Sequence, residues 1–489
     1  MQLECTGCGS VFPVDEPYQF CPRCRDVLLV SYDYDALSSH LSRKVLQSRP
    51  PGVWKYFELL PINRAQHIIS LGEGGTELRR CTRLAQKLGV RDLYVKDETT
   101  NPTGVFLDRG TTVDVSKAVE LGFTYLECVS SGSEGASVAA YAARANLRCS
   151  VLLPAGDLGK IDLFKIYQMV AYGAKIEVEK KDAQKAEALQ PRGAEYRVSL
   201  ISPFFVEGEK TTSYEIIEQL GWKPPDRIMV PMGNGTNLSM IWKGIKEMQQ
   251  TRLIEETGTM MTGVQVSECA PIVKALRRGG KMPSPGLRAE TIAPDLAMTR
   301  PLHGALAIQS IRESRGGGVV VSTDDILEAT GLLAKTEGIF AEPAAASTIA
   351  ALKKLLETGD MRRNEAVVCV ITGRGIKDAS TIRRLVERVK NIDQILAGSA
   401  PRESFDKLGR TKLKMLQLIS REESYGYDLA DELRKQHGIQ IDVSSVYQHL
   451  LELERMGLIR GTKVKSMLGR PKRKYYGITA LGRELMNSP

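Results

Sequence analysis

Short apolar runs and segments with helical spacing alternate through the central part of the chain. Each strand-length apolar run, at 125–130, 150–153, 227–230 and 366–371, is followed by a segment of helical period, at 136–144, 164–172, 238–248 and 376–389. Alternation between these two periods is typical of βα units, in which helices connect the strands of a parallel sheet. The pattern therefore predicts an α/β domain in the middle of the chain.

The pattern changes after a polar stretch at 396–408, which we interpret as a linker. Amphipathic helices are predicted at 412–419, 425–437 and 443–456, and a basic segment with a final short helix follows them. Three helices and a basic hairpin in this order are typical of a winged helix-turn-helix. The predicted domains are a cysteine-rich segment at 1–32, the α/β domain at 45–395, and the winged helix at 409–489 after the linker.

Composition narrows the class of protein. The chain has 489 residues, of which 42% are hydrophobic and 26% charged, as in soluble globular proteins. No apolar run reaches the about 18 residues that a membrane helix needs, and the first residues do not resemble a secretory signal, so we expect a cytoplasmic protein without membrane contact. The formal net charge is +9, and residues 401–489 hold 17 Lys and Arg against 11 Asp and Glu, a net +6. This concentration of charge predicts a polyanionic partner for the C-terminal domain.

Four of the nine cysteines form a pattern of their own. Cys5-x-x-Cys8 and Cys21-x-x-Cys24 are separated by twelve residues, a spacing at which four thiolates can converge tetrahedrally on Zn²⁺. We predict a structural zinc ribbon with Cys5, Cys8, Cys21 and Cys24 as ligands. Reduced cysteines without metal and an iron–sulfur cluster are the alternatives.

The stretch Asn101-Pro-Thr-Gly-Val-Phe-Leu-Asp-Arg-Gly110 resembles the motif NPTGSFKDRG of threonine synthases and other type II pyridoxal-phosphate (PLP) enzymes. The order of motifs over residues 70–395 matches that family, which implies a multidomain protein with a two-lobed, tryptophan synthase β-like α/β core. In the family the lysine of the motif forms the Schiff base with PLP, and here Leu107 takes its place. Because leucine has no nitrogen, it can neither form an imine nor transfer a proton. Two other lysines were considered as substitutes for the missing one. Lys117 would lie roughly 15 Å from position 107 along a continuing helix, which is too far, and the position of Lys96 cannot be inferred from the sequence.

Two further motifs resemble the family's sites for the cofactor phosphate and ring. Val230-Pro-Met-Gly-Asn-Gly-Thr-Asn-Leu238 resembles the glycine-rich turn in which N–H groups at a helix start bind the phosphate, although such turns also occur for structural reasons alone. Ile371-Thr-Gly-Arg-Gly-Ile-Lys-Asp378 resembles TGHGLKD, whose threonine faces the pyridine nitrogen; Arg374 replaces the histidine and either binds an anion or points to solvent. The ligand candidates implied here are Gly233, Asn234, Gly235, Thr236, Asn237, Thr372 and Arg374.

The loop Ser130-Ser-Gly-Ser-Glu-Gly-Ala-Ser137 resembles SSGNTAAS, which in the family contacts the ring oxygen and the substrate carboxylate. Ser133 replaces the asparagine and loses the ring contact. Glu134 adds a carboxylate that we expect to repel an anion. Ser130, Ser131 and Ser133 are ligand candidates, with plain helix capping as the alternative role.

Three C-terminal motifs resemble the PadR family of transcriptional regulators: Tyr425-Gly-Tyr-Asp-Leu-Ala430, Val443-Ser-Ser-Val-Tyr-Gln-His-Leu450 and Gly469-Arg-Pro-Lys-Arg-Lys-Tyr-Tyr-Gly-Ile-Thr479. The resemblance implies binding of double-stranded DNA, with the third helix in the major groove and the wing on phosphates. The candidate DNA contacts are Ser444, Ser445, Tyr447, Gln448, His449, Lys463, Lys465, Arg470, Lys472, Arg473 and Lys474. A winged helix used only for protein contacts is the alternative.

PadR proteins usually dimerise through helices beyond the wing, and little sequence follows the wing here. We therefore expect the large domain to form a homodimer that places two winged helices on a palindromic operator.

Groups needed for covalent chemistry are missing, whereas groups that hold a phosphate remain. The sequence favours a ligand-responsive transcription regulator whose threonine synthase-like domain is a pseudoenzyme that dimerises and senses a small molecule. That ligand would be PLP bound without a covalent bond, an amino acid or a phosphorylated metabolite. An active PLP-dependent lyase or synthase that uses a displaced lysine and also binds DNA is the second hypothesis, and a DNA-binding scaffold without a ligand is the third.

Overall fold

The computed structural model describes residues 1–155, 163–178, 195–283, 285–286, 290–378, 408–467 and 470–487. The chain divides into two compact units, residues 1–385 and 386–489. Almost all of the predicted linker and most of the predicted helix at 376–389 lie outside the described residues. No helix in the described ranges is both long and apolar enough to cross a membrane.

The N-terminal segment is a small antiparallel sheet docked on the large unit. Its strands stand in the order β2, β1, β3, with bounds β1 Gln2–Cys5, β2 Val11–Phe12 and β3 Leu28–Ser31. Buried Leu3 and Leu28 share an apolar cluster with Phe204, and the Tyr32 hydroxyl donates to Glu207 at 2.7 Å. Two short helices follow, α1 (Tyr34–His40) and α2 (Arg43–Gln47).

One lobe of the large unit is built on a four-stranded parallel sheet in the order β8, β7, β6, β9. The strands are β6 Tyr125–Val129, β7 Arg148–Leu153, β8 Lys175–Val178 and β9 Glu195–Arg197, and the helices are α4 Asp108–Glu120, α5 Ser133–Arg144 and α6 Leu163–Ala171. These elements enclose one apolar cluster, which includes Leu126, Ala136 and Val151.

The second lobe is built on a six-stranded sheet in the order β12, β11, β10, β13, β5, β4. Neighbouring strands are parallel except at the edge, where β4 runs antiparallel to β5. The strands are β4 Leu78–Arg80, β5 Asp92–Asp97, β10 Arg227–Pro231, β11 Met260–Val266, β12 Gly317–Val321 and β13 Ala366–Ile371. The remaining helices of the large unit are α3 Thr82–Leu88, α7 Pro203–Glu209, α8 Thr211–Gln219, α9 Thr236–Gln250, α10 Pro271–Arg277, α11 Gly304–Glu313, α12 Thr323–Glu337 and α13 Pro343–Thr358.

The structure of the central strand β13 explains why its sequence is a continuous apolar run. Val367 and Cys369 belong to one apolar cluster, whereas Val368 and Val370 belong to the cluster on the other face. A strand covered on both faces has no polar alternation, as expected for a parallel sheet. The predicted α/β fold around parallel strands is therefore confirmed.

A buried network of ion pairs lies where the 101–110 motif enters α4. Arg109 bonds Glu98 at 2.6 Å through Nε and Glu215 at 2.7 Å through Nη1, and it also reaches the hydroxyls of Thr76 and Thr211 at 3.0 Å. Burial opposes the charge on Glu215, but Arg109 and a nearby lysine outweigh it and hold the pKa of that carboxyl well below its usual range. The network joins the end of β5 to α4 and α8.

The C-terminal unit is a winged helix. Its elements are α14 Arg410–Arg421, α15 Gly426–His437, α16 Val443–Arg455, β14 Ile459–Met467, β15 Arg470–Ile478 and α17 Ala480–Asn487. The strands pair antiparallel, and the helices bury Leu416, Leu429 and Leu450 in a shared core. The predicted helices differ from α14, α15 and α16 by at most two residues at either end, so this prediction is confirmed.

Replacement of Arg109 by alanine should lower the free energy of unfolding of the large unit by about 3–5 kcal/mol, because the buried Glu98 would lose its ion-pair partner and Glu215 would keep only Lys96. The three tryptophans, at positions 54, 222 and 242, all lie in this unit. Urea denaturation followed by tryptophan fluorescence therefore measures the unfolding of the large unit alone.

The matched control is Lys353→Ala, which removes a 2.7 Å ion pair with Glu328 at the surface. Such pairs contribute little, and the change should stay within about 0.5 kcal/mol. Equal losses in the two variants would show that the buried network is not the dominant constraint.

Candidate functional site

The 101–110 motif is held in its loop by hydrogen bonds to Asp108. This carboxylate accepts from the backbone N–H and the hydroxyl of Thr103, both at 2.7 Å, and from the Ser137 hydroxyl at 2.6 Å. Burial raises the pKa of Asp108 to about 6, against these hydrogen bonds, which lower it. The loop thus keeps a defined conformation without the family's lysine.

Leu107 stands directly before α4, and its carbonyl accepts from the Thr111 N–H at 2.9 Å. Its side chain is 8% exposed and belongs to the apolar cluster that contains Val105 and Val115. The position therefore offers apolar surface and no group that could form a Schiff base.

The two lysines considered as substitutes have other partners. The Lys96 amine bonds Glu215 at 2.7 Å and the Thr76 carbonyl at 2.6 Å. The Lys117 amine bonds Glu120 at 2.7 Å and lies 5.3 Å from the centre of the Phe204 ring. Both amines are held by groups outside the 101–110 motif.

The glycine-rich turn connects β10 to α9. Gly235 precedes α9 with φ of +88°, a left-handed conformation that favours glycine, and no side chain caps the helix. The Asn234 side-chain oxygen accepts from the Leu302 N–H at 3.2 Å. Asn237 is buried, and neither atom of its carboxamide has a hydrogen-bond partner among the described residues. The turn therefore holds free donors at a helix start.

These observations show how far the residues of the two motifs fit PLP. Uncapped N–H groups and an unpaired carboxamide at the start of α9 suit the phosphate end of the cofactor. Leu107 does not fit the aldehyde end, because no amine stands there. The residues present fit a phosphate group and do not fit the covalent anchor.

In the serine loop, Ser130 has the helix-capping role that was the alternative to ligand binding. The Ser130 hydroxyl accepts from the N–H groups of Gly132 and Gly135, both at 3.1 Å, which is a capping role. Ser131 is half-buried. The Ser133 hydroxyl is buried and has no partner within the described ranges. Ser133 is therefore the member of this loop that retains an unused polar atom.

Glu134 is half-buried at the start of α5. Burial raises its pKa to about 8, although a hydrogen bond from the Leu200 backbone acts in the opposite direction. The raised pKa weakens the repulsion of anions that we expected from this residue.

The late motif packs against the 101–110 motif. The Phe106 N–H donates to the Thr372 carbonyl at 2.9 Å, and the Arg374 N–H donates to the Gly104 carbonyl at 3.0 Å. Thr372 is buried, while the Arg374 side chain is exposed. The structure thus brings Thr372 to the loop that holds Leu107.

Two charged residues near this contact were missed by sequence reasoning. The Lys377 amine is buried, which lowers its pKa, and it donates to the Thr103 carbonyl at 2.9 Å. Burial, together with the charge of Asp295, raises the pKa of Glu342 to about 7, while Lys377 and Lys165 oppose this rise. Lys377 lies inside the quoted motif, and Glu342 interrupts an apolar run before α13, so both had a local signal.

His303 was also missed, and it lies beside the glycine-rich turn. It is fully buried, and its Nδ1 is 3.2 Å from the Thr236 hydroxyl. Its Nε2 has no partner in the part of the chain that the structure describes. Burial lowers the pKa of His303 to about 4, so the ring is neutral at physiological pH.

On the predicted recognition helix α16, the candidate residues divide into exposed and packed groups. Asp442 caps the helix by accepting from the Ser445 N–H at 2.9 Å and from the hydroxyls of both Ser444 and Ser445. Tyr447 packs on α15, where a Cβ at Gly426 would stand 2.5 Å from its ring.

Farther along the same helix, Gln448 is exposed and His449 is half-buried, 3.6 Å from Glu452. Of these two residues, Gln448 has the more exposed side chain.

The wing presents its predicted cations on an antiparallel hairpin. Lys463 pairs with Glu423 at 2.7 Å, and Lys474 pairs with Glu454 at 2.8 Å. Both pairs lie within the same domain and are partly exposed. The side chains of the remaining predicted contacts lie outside what the structure describes, namely those of Lys465, Arg470, Lys472 and Arg473.

The four cysteines of the N-terminal segment converge. Their sulfur atoms all lie within 4.8 Å of one another, with Cys5 and Cys24 at 3.4 Å and Cys8 and Cys21 at 3.7 Å. Four thiolates bound tetrahedrally at about 2.3 Å from a zinc ion stand roughly 3.8 Å apart. The cluster is therefore compatible with a single metal ion.

Comparison with known proteins identifies the families of the two large domains. Residues 69–373 match the family of pyridoxal-phosphate dependent enzymes, and residues 415–488 match the transcriptional regulator PadR-like family. Threonine synthase of Methanocaldococcus jannaschii is 44% identical over 395 residues, which cover 80% of this chain and 96% of that protein. Threonine synthase of Methanosarcina acetivorans is 39% identical over the same shares of both proteins.

Solved structures agree at the level of the fold. Threonine deaminase isoform 2 of Solanum lycopersicum superposes with a TM-score of 0.55 at 20% identity, over 69% of this chain and 95% of that one. Maize serine racemase superposes with a TM-score of 0.53 at 19% identity, over 64% of this chain and 92% of that one. The chain belongs to the pyridoxal-phosphate dependent enzyme family, as a threonine synthase-like protein with a PadR-like domain fused at its C-terminal side.

Proposed function

We propose that this protein is a ligand-responsive, DNA-binding transcription regulator. Its threonine synthase-like domain senses a phosphorylated small molecule or an amino acid, and its PadR-like domain binds the operator. The observation that carries this proposal is the contrast at the pocket. Leu107 is a buried apolar residue where the family has its lysine, while the turn at 233–237 keeps free donors.

Replacement of the lysine by leucine removes the covalent chemistry but leaves the groups that would bind a phosphate. A Schiff base needs an amine, and the amines of Lys96 and Lys117 bond to other groups. The phosphate of a ligand needs N–H donors, which the start of α9 still supplies. A pocket of this kind can bind and release a small molecule without converting it.

The DNA-binding half of the proposal relies on Gln448. Its exposed amide is of the type that pairs with adenine in the major groove. Lys463 and Lys474 are partly exposed and held in surface ion pairs, which phosphates can replace at low cost. The basic charge of residues 401–489 supplies the attraction that does not depend on sequence.

Regulation requires that the ligand binds two arrangements of the protein with different affinity. We propose a homodimer formed by the large domain, because a two-fold axis places two winged helices on a palindromic site. The ligand then changes operator affinity by favouring one arrangement of the dimer. Zn²⁺, held by Cys5, Cys8, Cys21 and Cys24, has a structural role at the ribbon.

A second candidate function is an active PLP-dependent enzyme that also binds DNA. The observation that favours it is Lys377, whose amine is buried near the 101–110 motif with a lowered pKa. A desolvated amine of this kind is a potential nucleophile.

Borohydride reduction in the presence of PLP separates the two functions. Because leucine has no amine, the unaltered protein should carry no covalently attached cofactor by mass spectrometry, whereas Leu107→Lys should be labelled at position 107. Leu107→Met, which has similar volume and no amine, is the matched control. Labelling of Lys377 in the unaltered protein would instead establish the enzyme hypothesis.

Selection from random duplex DNA should yield a palindromic site bound by two chains. Gln448→Ala should lose about 1–3 kcal/mol of discrimination at one base pair in each half-site, with little change in binding to unrelated DNA. Titration of the selected duplex and its single-base variants measures this loss.

Gln436→Ala, an exposed glutamine on α15, is the control and should leave specificity unchanged. The chain shortened to residues 1–395 should remain dimeric by light scattering. A monomer would contradict a dimer formed through the large domain.

Elemental analysis of the purified protein should find one zinc per chain. Cys8→Ser and Cys24→Ser should each lose the metal, because a structural site needs all four thiolates. Cys149→Ser, far along the sequence in β7, should keep it. Iron in place of zinc, with sulfide, would show an iron–sulfur cluster.

A further inference from the structure

The C-terminal ends of α10 and α11 form a basic patch on the large unit. Residues 269–289 contain five Lys and Arg and no Asp or Glu. The Arg312 guanidinium, in the last turn of α11, donates to the Gly280 carbonyl at 2.9 Å, just after α10, and so joins the two helix ends. The exposed cations of this basic patch are Lys274, Arg277, Arg278, Lys281, Arg312 and Arg315.

These cations have no acidic partner close by. Within the described ranges, none of the six forms an ion pair with a carboxylate. Glu313, the acidic residue inside the patch, accepts instead from the Lys246 amine at 2.9 Å and from the Trp242 indole at 2.8 Å. The positive charge of the patch is therefore not neutralised by the protein itself, and it creates an attractive potential for anions.

The helix dipoles account for only part of the patch. Cations in the last turn of a helix interact favourably with its negative end, which explains Lys274 and Arg277 on α10 and Arg312 on α11. This effect falls off beyond the last turn. Arg278, Lys281 and Arg315 follow the last residues of the helices, so the dipoles do not explain them.

Arg315 provides an independent observation. Its φ is +53°, a left-handed conformation that glycine adopts readily and that strains other residues. The turn from α11 to β12 therefore places an exposed arginine where glycine would fit with less strain. A strained residue with an exposed, unpaired charge indicates that a partner uses its side chain.

We propose that this basic patch binds the sugar–phosphate backbone of duplex DNA, independently of base sequence and in addition to the contacts of the winged helix. The proposal rests on the proposed function and extends it, because it gives the large unit a DNA-binding surface of its own. Clustered Arg and Lys side chains are the groups that contact DNA phosphates, and a continuous polyanion can engage several of them at once.

The patch is separate from the cofactor motifs. α11 begins beside the glycine-rich turn, where a Cβ at Gly235 would lie 2.8 Å from the Ala307 Cβ. The ten residues of this helix place its two ends roughly 15 Å apart. The patch lies at the far end, so its charges serve a different surface from the ligand site.

An anionic membrane surface is the other polyanion to consider. A helix that binds membranes presents an exposed apolar face. In α10 the apolar residues Pro271, Ile272 and Val273 are buried in the large unit, and its exposed positions are cationic. Met282 is exposed in the turn that follows, but a single apolar side chain does not make such a face. The patch therefore fits DNA better than lipid.

Titration of the full-length protein with a duplex of about 50 base pairs centred on the selected operator tests the patch, because this length extends beyond two half-sites. The triple variant Arg277→Gln, Arg278→Gln and Lys281→Gln should bind at least about fivefold more weakly. Its plot of log affinity against log salt should be less steep by about 2–3, since each lost phosphate contact removes about 0.9.

The matched control is the triple variant Arg83→Gln, Lys87→Gln and Lys335→Gln, which removes the same charge at exposed positions of α3 and α12. It should keep the salt slope and change the affinity by less than about twofold, because distant exposed charges are screened. In the unaltered protein, the duplex should slow acetylation of Lys281, measured by mass spectrometry, and leave that of Lys335 unchanged.

Arg315→Gly separates DNA binding from stability. Glycine relieves the left-handed backbone, so the urea midpoint should be unchanged or higher, while binding of the duplex weakens about threefold. Arg25→Gly is its control, because Arg25 is an exposed arginine with a φ of +65° in the N-terminal segment. This variant should bind the duplex normally.

An unchanged salt slope in the first triple variant, or equal acetylation of Lys281 with and without the duplex, would overturn the patch. Binding to phosphatidylglycerol vesicles that this variant loses, with DNA binding intact, would overturn it in favour of a membrane.

The proposed function has a separate readout. If selection yields no operator but a random duplex still protects Lys281, the regulator is wrong and the patch stands. If ligand-responsive operator binding is the same in the unaltered protein and the first triple variant, the patch is wrong and the regulator stands.

Discussion

The buried ion network around Arg109 is the constraint on which the pocket depends. All its partners are buried, and they come from the end of β5, from α8 and from the segment before β4. The guanidinium therefore fixes the first turn of α4 relative to the large sheet, two residues after Leu107. None of these contacts involves the side chain at position 107. The frame of the cofactor motif is thus independent of the residue that carries out the family's chemistry, and it persists with leucine in that place.

The opposite holds for two polar residues at the glycine-rich turn. Asn237 and His303 each bury side-chain polar atoms without a partner among the described residues, and each such atom costs roughly 1–3 kcal/mol. Apolar side chains would stabilise the same positions more. The turn is therefore less stable than the fold around it, and a ligand that supplies acceptors would restore the missing hydrogen bonds.

Much of the fold was predictable, because its signals are local. The apolar run of β13 coincides with the predicted 366–371, and the helices of the winged domain follow their apolar periods closely. The pocket was predictable only where it coincided with a motif. His303 meets Thr236 across 67 residues of sequence, a contact that no local pattern encodes. The raised pKa of Glu134 was missed for a related reason: it depends on burial, which a single sequence does not give.

The proposed DNA-binding surface illustrates the same limit. Periodicity places Tyr447 on the third helix, but its ring is used against Gly426 in the domain core. Lys463 and Lys474 are engaged with acidic residues of their own domain, so in the proposed complex DNA phosphates would have to replace existing pairs. Such exposed pairs are weak, and the exchange would cost little free energy. Under this proposal the net basic charge would set the affinity for DNA, and the few exposed side chains of α16 would set the specificity. The coupling free energy between a ligand site and a DNA site is typically about 1–3 kcal/mol. This is comparable to the free energy lost with one specific base contact in each half-site. A ligand that disturbs the spacing of two winged helices by enough to lose one such contact would account for regulation without any change inside the DNA-binding domain itself.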